Sequence, residues 1–427
     1  MAHAFQELSV ALPKQPVEAP SIVSPCNQRT ATDDLSLDVA TSVRAVEKLK
    51  PIWRKWAHNL ETDFDYYLDN LRNDSTILRP YVITVYRVGV AEGMLVGQVR
   101  KERVSTVVSF VKIPGPVVSV LEIVHGGRMG SQSPAIDGLL ALQLCGATQS
   151  AEVDLVCLQR LPLQSELFRA LQRSTDSLIK ERVPHVFRYS VVPLSAPPGK
   201  SARALSGKNS REIRRKTRIL QRSFPGKTYV RCFSQPADLE AGIRDVASID
   251  ISTWQHYLGC GFLDARRRHE NLVFCATRGW LRLYVMYVDQ SPVAFLIGQH
   301  YNQTFYCQHA GYHPDFSRFS VGSLLTAQVL ENLAAAGVEQ VDLGEGGQEH
   351  NRRLGCRLCE EGTVHVYSWT LRGICVNAFF AIAMMTRAAG CRLRSRMRLK
   401  WADRLWRQLL TSPWRSQHRS NSPCGAA

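Results

Sequence analysis

The sequence predicts an α/β protein made of two tandem modules, each a mixed sheet flanked by helices. The chain has 427 residues, which at ~150 residues per domain suits two to three domains. Hydrophobic residues make up 45% of it, enough apolar material for more than one core. An order of hairpin, strand, loop, helix and strand occurs twice, first from Arg79 and again from Trp280. The repeated order predicts a duplicated module.

The first module is predicted to start with helical structure and to continue as a sheet. Residues 36–73 carry aromatic side chains among charges, a pattern typical of a helix packed on a neighbour. A helix is predicted over residues 133–147, after the Gly-rich segment HGGRMGSQSP. Apolar runs predict strands at residues 79–88, 93–100, 104–113, 117–124 and 152–159.

The second module repeats this order with related letters. Its predicted strands are residues 280–289, 292–300, 304–311 and 339–343, and its helix spans 320–335. YVITVYRVGVAEGMLVGQV aligns with LRLYVMYVDQSPVAFLIGQ, and EVDLVCL aligns with EQVDLGE. Any two hairpin-and-helix units look alike, but the matching element order favours duplication over coincidence.

Composition shifts divide the chain into four parts. Residues 1–35 are rich in Pro, Ser, Gln and Asp and are predicted to be a disordered tail. The two modules are assigned to residues 36–192 and 193–372, with the linker PLSAPPGK at their junction. Residues 373–427 form a tail that starts apolar and ends basic.

The chain carries a formal net charge of +16 and a pI of about 9.5. Such a balance attracts anions, although a basic surface also serves solubility alone. The segment LSGKNSREIRRKTRILQR places Arg211, Arg214, Arg215 and Arg218 at helical spacing, which fits either a solvated face or a dock for phosphate. The tail mixes Lys and Arg with tryptophan. This composition suits an anionic membrane surface or nucleic acid, and the membrane is preferred because no nucleic-acid motif accompanies it.

The cysteines predict a reducing, cytoplasmic compartment. Most of the twelve lie singly in apolar runs, as buried free thiols do. Cys356 and Cys359 form one C-x-x-C, but no second pair follows at the spacing of a zinc site, so no metal is expected. The N-terminus lacks the apolar core of a signal peptide, and no run reaches the ~20 residues of a membrane span.

The stretch TFYCQHAGYHPDFSRFSVGSLL is the best candidate for chemistry. It predicts a strand, a turn and then a helix that opens at Ser320-Val321-Gly322-Ser323. A helix start offers free N–H groups and a positive dipole end, and glycine lets a ligand approach the backbone. Arg318 adds a positive charge nearby. The segment is therefore a candidate pyrophosphate seat.

The second half resembles the acetyltransferase domain of CelD-like proteins of bacterial cellulose and exopolysaccharide clusters, a GNAT-superfamily domain related to the FemAB peptidyltransferases. The resemblance covers residues 205–355 and is carried by LSGKNSREIRRKTRILQR, STWQHYLGCGFLD, WLRLYVMYVDQSPVAFLIG, GYHPDFSRFSVGSLL and VDLGEGGQEHNRRLG. From RPYVITVYRV to LQRLP, the first half resembles the degenerate N-terminal module of the same proteins.

This resemblance implies a sheet that splays in its middle and an acyl-coenzyme A seat, for acetyl-CoA or another acyl-CoA. The seat would lie where the third strand diverges and the next helix begins. The pantetheine would pair with backbone from Gln308 to Tyr312. The pyrophosphate would be held by Arg318, Val321, Gly322 and Ser323.

After the closing strand the chain departs from the pattern of the family, which reads roughly G-D-E-x-Y-K-x-x-x-G. Gly347 stands where an Asp is usual, His350 where a Tyr is usual and Asn351 where a Lys is usual. The spacing of the motif is kept but its polar residues differ. The difference therefore bears on which acceptor the protein uses and on whether it is active.

Acyl transfer from a thioester needs a base for the acceptor and donors for the oxyanion. Glu345 and His350, just past the closing strand, are the first candidates for the base, and His309 on the splayed strand is the next. Backbone N–H near His309 would hold the oxyanion, and Tyr312 would protonate the leaving thiolate. A strand histidine or a loop acid is more often structural. The acceptor is expected to contact Trp254, Asn351 and Arg352.

Three functions follow from these features. The first is an acyl-CoA-dependent N- or O-acyltransferase that modifies a sugar or amine acceptor in exopolysaccharide or envelope assembly, in the cytoplasm or at the inner membrane face. The second is a FemAB-like aminoacyl transferase using charged tRNA, which Asn351 disfavours. The third is a non-catalytic scaffold for polysaccharide synthesis, which Gly347 and His350 favour and the helix start at Gly322 disfavours.

Overall fold

The computed structural model describes residues 35–108, 111–174, 185–194, 207–253, 262, 266–345, 354 and 356–397. These residues divide into two compact units. The second unit comprises Arg188–Cys359, and the first comprises the described residues before it together with those from Glu360 onward. The predicted tail of residues 1–34 lies outside the described residues.

Twelve strands are formed by the described residues. In chain order they are β1 Leu35–Ala40, β2 Ile77–Arg87, β3 Val90–Val108, β4 Val111–Gly130, β5 Leu155–Leu161, β6 His185–Pro193, β7 Thr228–Phe233, β8 Leu281–Val288, β9 Ser291–Tyr301, β10 Thr304–Tyr312, β11 Gln340–Glu345 and β12 Arg357–Tyr367.

Helices cover the sheets or connect the strands. Those described are α1 Val43–Lys48, α2 Lys50–Trp56, α3 Phe64–Asn73, α4 Pro134–Gln149, α5 Glu166–Ser174, α6 Gly207–Ser223, α7 Pro236–Asp250, α8 Arg266–Thr277, α9 Val321–Ala335 and α10 Leu371–Met397. Short 3₁₀ turns occur at Leu60–Thr62 and Pro314–Phe319. No helix in this described part is long and apolar enough to cross a bilayer.

The first unit contains strands in the order β1-β2-β3-β4-β5-β12. Neighbours are antiparallel except β4 and β5, which run parallel and are joined by α4. One face of this sheet packs on α4 and α5 through residues such as Leu121 and Leu140, and part of the other packs on α1 to α3 around Trp53. Both faces are therefore covered, as the apolar runs of these strands predict.

The second unit contains the order β6-β11-β10-β9-β8-β7. Again one pair, β10 and β11, is parallel and is joined by a helix, α9. The other neighbouring strands, β7 to β10 and β6 with β11, are antiparallel. Leu324 and Leu330 of α9 and Leu220 of α6 pack on one face in a single apolar cluster. The repeated parallel pair places a helix start beside a diverging strand in this unit.

The predicted fold class is confirmed, because each unit is a mixed sheet flanked by helices. Two local predictions are wrong. The start of the predicted helical stretch 36–73 is strand β1, whose apolar side chains Leu35 and Ala40 face the core while it pairs with β2. The segment predicted as one strand over 104–113 is instead divided between the end of β3 and the start of β4. These two strands pair with each other there, with Val108 opposite Val111.

Each unit contains one strand that is separated in the chain from the other strands of that unit. In the first unit, β12 follows β11 in sequence yet pairs antiparallel with β5 through residues such as Val364 and Val366. In the second, β6 precedes α6 and pairs antiparallel with β11 through Val191 and Val192. Both strands carry apolar residues into the cores of the sheets they complete.

A buried ion cluster lies on β3 and β4 of the first unit. The Arg100 guanidinium, 8% exposed, contacts the carboxylates of Asp74 at 2.9 Å and Glu122 at 2.8 Å. Gln98 Nε2 also donates to Glu122, at 2.9 Å. Burial raises the pKa of Glu102, against the opposing effect of Arg100. The carboxylates of Asp74 and Glu122 are each paired with Arg100, which is the condition for buried charges to be tolerated, but the buried Nε of Arg100 has no hydrogen-bond partner among the described residues.

Candidate functional site

The sheet of the second unit opens between β10 and β11. Their parallel pairing runs only from Thr304 to Tyr306, opposite Gln340 to Asp342. Beyond this point β10 continues to Tyr312, paired on its other side with β9. The diverging edge of β10 therefore begins at Cys307, and it contains the segment predicted to meet the pantetheine.

Local irregularities in both strands produce the divergence. The β9–β10 register shifts between Cys307 and His309, so Gln308 is an extra residue that bends β10. In β11, Gly344 adopts φ +70°, and its N–H donates to Asp342 Oδ1 at 2.8 Å. Gly298 lies opposite the bend, where a Cβ would come within 2.3 Å of the Tyr306 carbonyl oxygen. The bend therefore depends on a glycine in the neighbouring strand.

Helix α9 begins beside the end of β10. Ser320 takes the left-handed conformation at φ 59°, and its side chain does not cap the helix. The N–H groups of Val321 and Gly322 donate to no other described residue. A Cβ on Gly322 would lie 3.2 Å from Cδ1 of the Tyr312 ring. The open helix start and the diverging strand are thus neighbours, as an elongated ligand with a phosphate group would need.

Two cationic side chains lie at this helix start. Arg318 is exposed, with its guanidinium 4.6 Å from the centre of the Phe319 ring. Lys216 of α6 donates from Nζ to the Arg318 carbonyl oxygen at 2.8 Å. Sequence reasoning identified α6 as basic but missed Lys216 as a neighbour of the seat. The packing of Ile213 and Ile219 against the α9 core places this face of α6 there.

The sequence of this region matches a known domain family. Residues 207–352 match the family described as Acetyltransferase (GNAT) domain. The match contains α6, the diverging strands and the open start of α9. The matched residues therefore include the strand divergence and the helix start on which the coenzyme seat was predicted.

Three solved structures are similar to the chain over most of its length. FemX has 10% identity, a TM-score of 0.47 and coverage of 73% of this chain and 97% of its own. A tandem GNAT protein from the clavulanic acid biosynthesis pathway has 10% identity, a TM-score of 0.45 and coverage of 77% and 97%. L-PGS from Bacillus licheniformis has 12% identity, a TM-score of 0.45 and coverage of 78% and 96%. Comparison with characterised proteins by sequence finds no match.

His309 and Tyr312 lie on opposite faces of β10 in the GNAT domain. The half-buried His309 ring meets Phe262 edge to face, with 5.8 Å between ring centres. Phe262 is itself held by its N–H, which donates to Asp250 Oδ2 at 2.8 Å. Tyr312, 45% exposed, lies on the α9 face against Gly322. A base at His309 and an acid at Tyr312 would therefore approach a ligand from different sides of the strand.

Cys307 is the cysteine at the opening of the strands. Burial raises the pKa of its thiol to about 12, and the Asp342 charge adds to the effect. The thiol is therefore protonated at neutral pH, whereas a cysteine nucleophile acts as the thiolate. This agrees with a direct transfer that needs no covalent cysteine intermediate.

Gln299 is a further polar group that sequence reasoning missed. Its side chain is fully buried on β9, opposite Tyr306, and neither Nε2 nor Oε1 has a hydrogen-bond partner among the residues that the structure describes. By strand alternation it lies on the same face of the sheet as Ile297, which pairs with His309. A glutamine inside an apolar run, PVAFLIGQH, was the only signal available for it.

Several predicted site residues cannot be placed. Glu345 ends β11 next to the opening, but its side chain lies outside the described residues. The same holds for the whole of Gly347, His350, Asn351, Arg352 and Trp254. Of the predicted cofactor residues, Gln308 lies on β10, Arg318 on the 3₁₀ turn Pro314–Phe319, and Val321, Gly322 and Ser323 in the first turn of α9. Within the described residues no group of His, Cys, Asp or Glu side chains could hold a metal ion.

The first unit has the same strand order but a different helix start. Ser133 Oγ accepts from the Ile136 N–H at 3.3 Å, and Pro134 contributes no N–H at all. Asp137, in the first turn, pairs with Arg128 at 2.6 Å. At the start of α4, the Ser133 side chain thus accepts from one N–H and proline removes another, whereas no side chain caps α9. The geometry of an open helix start occurs at α9 and not at α4.

Proposed function

We propose that this protein is a CelD-like acyltransferase that passes an acyl group from acyl-CoA, acetyl-CoA in the first instance, to an amine or hydroxyl of an exopolysaccharide or cell-envelope precursor. The observation that carries the proposal is the open start of α9 directly beside the diverging edge of β10, with two N–H groups that donate to no described residue. The match of residues 207–352 to the GNAT domain supports the class of reaction.

The coenzyme would bind along these two elements. Its pantetheine arm would pair with the backbone of β10 between Gln308 and Tyr312, where β11 has diverged. Its pyrophosphate would accept from the N–H groups of Val321 and Gly322, near Arg318. Ser323 would line the same seat, because its own N–H already donates to the Ser320 carbonyl oxygen at 2.9 Å. Lys216 would add a second positive charge to this end of the site, because its ammonium lies 2.8 Å from the Arg318 carbonyl.

In the transfer, the acceptor nitrogen or oxygen would attack the thioester carbonyl and the C–S bond would break. Glu345 or His350 would take the proton of the acceptor, with His309 as the alternative base. Backbone N–H near His309 would hold the oxyanion. Tyr312 would return a proton to the coenzyme thiolate, from the α9 face on which its ring lies. Because His309 occupies the other face, it suits contact with the acceptor better than with the thiol.

The acceptor is proposed to be recognised outside the coenzyme seat. Trp254, Asn351 and Arg352 are the candidate contacts, and Asn351 and His350 replace a lysine and a tyrosine of the related family. An uncharged amide at residue 351 suits a sugar hydroxyl or amine better than a phosphate. We place the reaction in the cytoplasm, where thiols such as the buried Cys145 and Cys275 stay reduced.

An aminoacyl transfer from charged tRNA is the second candidate, because α6 carries an exposed cationic face. Arg211, Arg214, Arg218 and Arg222 are all exposed on it, and Arg215 pairs with Glu212. Binding of tRNA through phosphate contacts would weaken steeply as salt rises. If the protein binds no RNA even at low salt, this candidate is excluded.

Calorimetric titration with acetyl-CoA and with free CoA tests the proposal. The wild-type chain is compared with Gly322→Asp, which puts a carboxylate where the pyrophosphate would sit. Gly138→Asp is the matched control, since a Cβ at Gly138 meets open space near the start of α4. The proposal expects binding to the wild type and the control and loss in Gly322→Asp.

The size of that loss follows from Coulomb's law. One added charge about 4 Å from a phosphate costs ~1 kcal/mol in water and ~4 kcal/mol at an effective dielectric constant of 20. The affinity for acetyl-CoA should therefore be weaker by a factor between about five and about a thousand. Absence of binding by the wild type would overturn the acyl-CoA reading and favour charged tRNA or a polysaccharide-synthesis scaffold.

A further inference from the structure

Helix α10 carries an apolar stripe on its outer face. Leu371, Ile374, Ile382 and Met385 are 79%, 48%, 57% and 63% exposed. Their spacing of three, eight and three residues keeps them on one side of the helix. Exposed Cys375, Ala378 and Ala381 fall on the same side, between them. The stripe extends over about 21 Å of helix, at ~1.5 Å per residue.

The opposite face of α10 holds the helix to its own unit. Val376 is fully buried, and it packs with Phe379 and Phe380 against Val104 and Val118 of β3 and β4. The orientation of the helix is therefore fixed by a core contact, and its outer stripe has no covering element among the described residues. A contiguous exposed apolar strip on an anchored helix marks an interaction surface.

The sequence that follows the stripe is strongly basic. From Arg387 to Arg419 there are ten Lys or Arg residues and one acid, Asp403. Trp401, Trp406 and Trp414 are interleaved with them. A helix with an apolar face next to cationic and tryptophan residues is the pattern of an interfacial anchor on anionic lipid. The stripe is too short to cross a bilayer, and no described helix qualifies as a span.

We propose that the outer face of α10, from Leu371 to Met385, docks the protein on an anionic lipid surface. The apolar side chains enter the acyl boundary, and the basic sequence after them meets the headgroups. A second copy of this chain fits the face less well, because two copies would bring together two strongly cationic segments. The proposal does not depend on acyl transfer, and it locates the protein where a lipid-linked acceptor would be found.

Flotation of the full-length protein with vesicles tests this surface. The vesicles are phosphatidylcholine alone or with phosphatidylglycerol. The test variant is Ile382→Ser with Met385→Ser. The matched control is Leu78→Ser with Val90→Ser, whose side chains are 57% and 68% exposed on β2 and β3 of the same unit. The control removes similar exposed apolar area away from α10.

Wild type and control are expected to float with the anionic vesicles and to stay behind with phosphatidylcholine alone. The Ile382/Met385 variant should lose roughly tenfold or more in lipid affinity, since partial burial of each side chain favours binding by on the order of 1 kcal/mol, which corresponds to about fivefold. Lack of wild-type flotation would overturn the proposal. So would equal flotation of wild type and variant, because the basic tail would then act alone.

The oligomeric state of the same samples completes the test. Light scattering of the wild type without lipid should give a monomer. A dimer that the Ile382/Met385 substitutions dissociate would overturn the lipid proposal and make the stripe an interface between copies. Retained calorimetric binding of acetyl-CoA by the variant would show that its fold is intact, independently of lipid.

Discussion

The unpartnered amide of Gln299 gives a stability prediction with an unusual sign. Gln299 is 0% exposed, and in the described part of the chain neither polar atom of its side chain has a hydrogen-bond partner. A buried polar group without a hydrogen bond costs about 1 to 3 kcal/mol. Methionine has nearly the shape of glutamine and no such groups. We therefore expect Gln299→Met to raise the free energy of unfolding by about 1 to 3 kcal/mol, although most core substitutions lower it.

Urea unfolding, followed by tryptophan fluorescence, measures the change as a shift in midpoint at constant slope. Gln143→Met is the control, because Gln143 Nε2 donates to the Tyr81 hydroxyl at 3.0 Å. Its loss should lower stability by about 0.5 to 1.5 kcal/mol. Destabilisation by Gln299→Met would refute the reasoning. A stabilised Gln299→Met variant with weaker acceptor or acetyl-CoA use would mean that the amide is kept for a ligand.

Three further predictions concern stability. Gly298→Ala should destabilise by about 2 kcal/mol or more, because its Cβ would lie 2.3 Å from the Tyr306 carbonyl oxygen; urea unfolding measures the loss. Arg100→Met should cost about 3 to 5 kcal/mol by leaving two buried carboxylates unpaired, measured in the same way. The free energy of unfolding of Glu102→Gln should rise relative to that of the wild type as the pH increases from about 4 to 7. The reason is that the raised pKa of Glu102 makes its ionisation unfavourable in the native state. Urea midpoints across this pH range measure the difference.

Controls and contradicting results differ among the three. Gly146→Ala is the control for Gly298→Ala, because a Cβ at Gly146 on α4 meets open space; it should leave the free energy of unfolding unchanged or raise it. Gly279→Ala would not serve, because Gly279 has φ +73° and alanine would be strained there. An Arg100→Met variant as stable as the wild type would mean that the carboxylates are solvated or protonated. A raised carboxyl pKa in the native state makes the wild type less stable as Glu102 ionises. If the wild type instead gains stability relative to Glu102→Gln as the pH rises, the assigned direction is wrong.

Elements with long apolar runs could be predicted from the sequence. The strands β8 to β11 and helices α4 and α9 lie within a few residues of their predicted bounds, because a buried strand or helix needs a continuous or periodic apolar pattern. The short strand β1 could not be separated from the helices after it. Its six residues, LSLDVA, alternate only weakly between apolar and polar side chains. They form a strand because they pair with β2.

Partnerships between distant segments could not be predicted. Nothing in the sequence of β12 says that it pairs with β5 of the first predicted module rather than with a strand of the second, to which residues 357–367 were assigned. The same limit hid Lys216, whose position at the start of α9 depends on how α6 packs. The coenzyme-seat residues were named through resemblance, and their role in holding the coenzyme stays a prediction. The roles of Glu345, His350 and Trp254 stay predictions.

Hydrogen exchange of the full-length chain with and without acetyl-CoA tests the central claim most directly. The amides of Val321 and Gly322, which have no partner among the described residues, should exchange rapidly in the free protein. Acetyl-CoA should slow exchange in two peptides, one from Gln308 to Tyr312 and one at the start of α9. The peptide at the start of α4 should not change. Protection at α4, or no protection at either α9 or β10 under saturating acetyl-CoA, would contradict the account.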